Sequence, residues 1–138
     1  MTDDGFNKGA NVLKSGSIMS EDPEMLMREA ERYFQEALRQ KDLRQMAEKA
    51  HLSATLAADA LILSMGWEKP KSLFARKRGL ESISIEEAKT YTFIVDDLHR
   101  DCFYDGLCHA ETIKRRMEDV KEFNERIRKQ LTAKNLKL

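Results

Sequence analysis

Two histidines, two cysteines and an arginine fall within one eleven-residue stretch of this chain, as His99, Arg100, Cys102, Cys108 and His109, around the turn sequence Phe103-Tyr104-Asp105-Gly106. Connectors tolerate almost any polar sequence, so a connector this rich in reactive side chains calls for either packing or chemistry. A guanidinium matches the phosphate fork, and an imidazole beside it can take the proton of a ribose hydroxyl. Arg100 with His99 or His109 is therefore the candidate catalytic set of a metal-independent endoribonuclease. The plainer reading of Arg100 is a surface ion pair with Asp96 or Asp97, one helical turn earlier. Two imidazoles and two thiols are also the donor set of a structural zinc site. Here the four donors crowd one helix end instead of pairing across separate segments, and Cys102 lies on an apolar stripe, so neither a metal nor another cofactor is expected.

Two further groups stand out. Lys69, Lys71, Arg76, Lys77 and Arg78 form a compact cationic cluster with Trp67 and Phe74 beside it. Aromatic rings can stack bases while the cations neutralise phosphates, which makes Trp67 and the five cations a candidate nucleic-acid-binding set, against the plainer reading of a solvated loop. On the second helix, Arg44, Glu48, His51, Thr55 and Asp59 share one narrow strip at 100° per residue, and a solvent-facing stripe is the expectation for them.

The elements that must position these residues are helical almost throughout. Residues 1–20 hold three of the six glycines and read as a mobile tail. Asp22-Pro23-Glu24 reads as an N-cap, a first-turn proline and an acid facing the helix dipole. Leu26, Ala30, Tyr33 and Ala37 then recur at helical spacing to about Arg39. A polar break at Gln40-Lys41-Asp42 precedes a second, unusually apolar helix running to Gly66, whose many alanines permit close approach of neighbours on several sides. Gly66 to Gly79 reads as the longest irregular segment. Ser84-Ile85-Glu86-Glu87 is a capping box, in which Glu87 would reach back to its own cap. The third helix carries Ala88, Tyr91, Val95, Leu98 and Cys102 and ends near Gly106. A fourth carries Ile113, Met117, Val120, Phe123, Ile127 and Leu131, and residues 132–138 are expected to fray. The sum is an all-α chain, an antiparallel up-and-down four-helix bundle over residues 21–131.

Its 138 residues suffice for one self-supporting core. Lys plus Arg and Asp plus Glu both number 24, so no global field draws the chain to nucleic acid or to a membrane, and any such affinity must be local. No apolar run is long enough for a membrane span. Two cysteines in an ordinary composition, with no apolar N-terminal leader, point to free thiols in the cytoplasm.

The first hairpin, from Ala30-Glu31 through Ala37 to Ala47-Glu48-Lys49-Ala50, resembles the opening of HEPN-type helical bundles. Leu98-His99-Arg100-Asp101-Cys102-Phe103-Tyr104-Asp105-Gly106, with Met117-Glu118-Asp119-Val120-Lys121 after it, resembles the L-H-x-N-F-Y-E-G … E-D-V pattern of the archaeal PaREP family, which is related to HEPN. The resemblance spans roughly residues 26–131. It implies a homodimeric HEPN-like bundle acting as an interaction module, with RNA or a nucleotidyltransferase-type protein as partner. Nuclease members of that group carry an Arg followed closely by a His. Here Asp105, Gly106 and Leu107 stand where that His belongs, and His109 follows Arg100 only after eight intervening residues.

Overall fold

The computed structural model describes residues 22–137, so the expected tail over residues 1–20 lies outside it. The described chain folds into five α-helices and one π-helical segment, with no strand among the described residues. They are α1 (Pro23–Arg39), α2 (Leu43–Ser64), α3 (Leu73–Ile83), α4 (Ile85–Ile94), the π segment (Val95–Tyr104) that continues α4, and α5 (Ala110–Lys137). No helix among the described residues is long and apolar enough to cross a membrane.

Side-chain caps start the first four helices. Asp22 accepts from the Glu24 amide at 2.9 Å ahead of Pro23, and Asp42 accepts from the Arg44 amide at 3.2 Å. Ser72 accepts from Ala75 at 3.0 Å, and Ser84 from Glu87 at 3.3 Å. Each cap satisfies a donor that the helix itself leaves unpaired. The capping box at Ser84 is only half formed. Glu87 turns away from its cap, is buried, and takes both hydrogen bonds of the Arg126 guanidinium, at 2.8 and 2.9 Å. It thereby ties α4 to α5.

Two expectations are corrected. The segment from 66 to 79 is irregular only as far as Ser72; α3 begins at Leu73 and makes five helices instead of four. Gly79 sits inside that helix because a side chain there would meet the Ile62 side chain of α2 at 3.0 Å, so the glycine lets two helices close up. The last helix, α5, runs to Lys137.

The wall common to the whole fold is α2, which meets α1, α3, α4, the π segment and α5. Its alanines at 47, 50, 54, 57, 58 and 60 are all fully buried. Small side chains on several faces are what allow one helix to touch five neighbours at close range. Around it lie Leu26, Phe34, Leu61, Leu80, Tyr91, Ile94, Leu98, Ile113, Phe123 and Ile127, and these form one continuous core.

Candidate functional site

The polar strip of α2 is the functional candidate, and beyond its exposed Arg44 end it is at least half-buried. Every member meets a partner on α3, α4 or the π segment, so the strip is a polar seam between helices. At one end Arg44 donates from Nε to the Phe103 carbonyl at 2.6 Å and from Nη2 to the Tyr104 carbonyl at 3.2 Å. A cation there satisfies carbonyls that the end of a helix leaves open. At the other end Asp59, only 2% exposed, accepts from Arg76 Nε at 2.7 Å and Nη2 at 3.2 Å. Burial pushes the Arg76 guanidinium down, but its pairing with Asp59 more than offsets this and holds it above its ordinary range.

Between these ends lies a compact group of Glu48, His51 and His99. His99 Nδ1 is 2.8 Å from Glu48 Oε1; a carboxylate can only accept, so the shared proton belongs to the imidazole. His51 Nδ1 is 3.5 Å from the same oxygen, buried from solvent, and has no hydrogen-bond partner of acceptable geometry. The two imidazoles stack with centroids 4.3 Å apart and planes 21° from parallel. One donor atom from each of the three residues fits within a 4.8 Å span. Burial pushes the Glu48 carboxyl up, yet the two imidazoles beside it, His51 and His99, pull it down further, leaving it below the ordinary carboxylate range.

Behind His51, its Nε2 is 3.4 Å from Thr55 Oγ1, and that hydroxyl is 2.7 Å from the Tyr91 hydroxyl. Burial is the main cause that pushes the Tyr91 phenol up, above its usual value. In front of His99, the rings of Phe103 and Tyr104 lie at 6.1 and 6.3 Å. The π segment brings this about. Its wide turns bond residue i to i+5, as from the Asp105 amide to the Arg100 carbonyl at 3.0 Å, and they place both aromatic rings beside one imidazole.

Of the expected site residues, only His99 enters this cluster. Arg100 is exposed; its Nη1 is held by Asp96 at 3.2 Å and its Nε by Asp101 at 3.1 Å. The Asp101 hydrogen bond first, and the Asp96 charge next, raise its pKa. His109 is exposed beyond the turn, and no hydrogen bond or ion pair among the described residues joins Arg100 to His99 or His109. Cys102 and Cys108 are bonded to each other. The free thiols expected from the sequence are therefore absent, and with them the argument for a reducing compartment; nor can paired sulfurs serve a zinc site with the histidines. Of the cationic cluster, Arg76 turns inward to Asp59, whereas Lys71 and Arg78 are exposed and Lys69 and Lys77 half-buried. Trp67 and Phe74 are 43% and 70% exposed and line one shallow groove with Arg78, whose guanidinium lies 5.6 Å from the Phe74 ring.

The sequence placed Glu48, His51, Thr55 and Asp59 on one strip but gave no sign that His99 would complete it. The usable signal was the strip itself, five polar residues on an otherwise apolar helix. Comparisons with family models, with curated proteins and with solved structures return no match.

Proposed function

We propose that this chain is a HEPN-like helical interaction module that binds single-stranded nucleic acid at the groove between Trp67 and Phe74. In this reading α1, α2, α4 with its π extension, and α5 make the antiparallel four-helix arrangement, and α3 is an arm carrying the binding surface. The observation that carries it is the exposure of two aromatic rings on one groove that Arg78 also lines, its guanidinium lying against the Phe74 ring. Rings of this kind stack bases of any sequence, and Lys71, Lys77 and Arg78 supply the charge that a phosphate backbone requires.

The test is a mobility shift with labelled single-stranded RNA. Binding is expected at low salt and should weaken steeply as salt rises. Phe74→Ala should lower affinity by about 5- to 150-fold, the equivalent of one stacked base. Reversing Lys71, Lys77 and Arg78 together should abolish the shift; binding that survives the reversal overturns the reading. Arg76 is excluded from that set because its loss would disturb the fold. The same incubation reads cleavage, and intact RNA is the expected result, because Arg100 already holds two carboxylates and His99 is engaged with Glu48.

Homodimerisation belongs to the same proposal. Ile85 and Phe93, exposed on α4, flank a groove floored by Ala88 and Thr92, an apolar surface suited to a second copy of the chain. A nucleotidyltransferase-type partner would compete for that surface.

A further inference from the structure

We propose that Glu48, His51 and His99 form a binding site for one divalent first-row transition-metal ion, with zinc as the representative case. Two imidazole nitrogens and one carboxylate oxygen make a borderline donor set that suits zinc and its neighbours, whereas calcium and magnesium demand oxygen ligands.

The geometry is close to what such an ion needs. Bonds of about 2.0–2.1 Å at tetrahedral angles put neighbouring donors about 3.3 Å apart. Glu48 Oε1 is 2.8 Å from His99 Nδ1 and 3.5 Å from His51 Nδ1, so these two edges straddle that value. All three donors lie within 4.8 Å of one another, and the two stacked imidazoles, 21° from parallel, would have to swing out of their stack to turn both lone pairs towards a common centre.

A second observation points the same way. His51 Nδ1 is a buried polar atom without a hydrogen bond, held beside a carboxylate oxygen. A buried atom of this kind calls for an occupant. With Nε2–H donated to Thr55, Nδ1 presents a lone pair to the Glu48 oxygen, and two facing lone pairs are reconciled by a cation between them. Thr55, backed by the Tyr91 hydroxyl, is the type of outer partner that orients a metal-bound imidazole. Hydroxyls donate or accept as required, so the pair can support that tautomer. Binding would require His99 to carry its proton on Nε2, which frees the Nδ1 lone pair for the ion beside Glu48.

The donors come from α2 and the π segment and leave a fourth position. His51 is 12% and Glu48 18% exposed at the side chain, against 38% for His99, so the open coordination position lies on the His99 side, near Phe103 and Tyr104. A site with three protein ligands and one accessible position can hold water or a small ligand on the metal.

The experiment is titration of the purified full chain, stripped with EDTA and dialysed, with zinc followed by calorimetry and with cobalt followed by visible absorption. One equivalent per chain is expected, with the intense bands of four-coordinate cobalt. Glu48→Gln and His51→Asn should abolish stoichiometric binding, while Thr55→Val should weaken it about 10- to 100-fold. His109→Ala, which touches an exposed imidazole outside the cluster, should change nothing. Circular dichroism identifies any variant that fails to fold, and the cobalt spectrum of the unaltered chain stands without variants. Absence of stoichiometric binding to the unaltered chain overturns the proposal, as does stoichiometric binding that survives Glu48→Gln and His51→Asn. Neither result bears on RNA binding at Trp67 and Phe74, which lie on a different surface.

Discussion

Asp59 is the most exacting residue of the seam, a carboxylate almost wholly withdrawn from water whose two oxygens are both taken by Arg76. Removing one partner of such a pair leaves a buried charge uncompensated, at a cost of about 3–5 kcal/mol. Asp59→Ala should therefore lower stability by about that amount in urea unfolding, and Arg76→Met, which strands the carboxylate, by a similar amount. The double variant should lose less than the sum of the two. Tyr91 supplies a pH dependence. Its phenol titrates above its ordinary value in the folded chain, mainly through burial, so the neutral form is favoured by folding. That contribution is whole below the unfolded value of about 10 and is lost as pH rises from there through the folded value. Urea midpoints measured across the alkaline range should fall accordingly, and Tyr91→Phe should flatten the fall. The strip Arg44, Glu48, His51, Thr55 and Asp59 was legible as a shared face, because angular position follows from residue number. Its destination was not. Charge suggests solvent, whereas the partners His99, Tyr91 and Arg76 come from elements that only the tertiary fold brings near.

At the level of elements, caps were the most readable features, since Asp22 and Ser84 each act within their own few residues, while the Asp42 cap was read only as part of a polar break. The helix α3 was not readable. Its single buried residue, Leu80, gives no apolar stripe, and Gly79 counts against a helix unless the nearness of Ile62 is known. The π segment was equally hidden, because the spacing of Val95, Leu98 and Cys102 suits an α-helix, and the widening is seen only in the backbone bonds. Its end depends on Gly106, which adopts φ +76° and is the one turn residue there that needs the left-handed region. Gly106→Ala should cost about 1–2 kcal/mol in urea unfolding. The bond between Cys102 and Cys108 closes the same turn. Native protein prepared without reductant should show no titratable thiol, and full reduction should lower stability by about 2 kcal/mol, the chain-entropy value for so short a loop.

For the whole molecule, helical class followed directly from composition, and the balanced charge turned attention from a global field to local groups. How many helices pack, and against which neighbours, depends on contacts that no linear pattern states. The proposed dimer is tested at this scale: light scattering should return twice the chain mass, and Phe93→Glu, placed on the exposed α4 groove, should return it to one. A helix that touches all its neighbours also governs how the fold comes apart. Because α2 meets α1, α3, α4, the π segment and α5, no other helix can shield its amides once the remainder has opened, and none can leave without baring part of it. Its middle, from Ala54 to Leu61, should hence exchange hydrogen for deuterium only when the entire chain unfolds, with a protection free energy equal to the global one, while amides of the α1 and α3 ends exchange sooner through local opening.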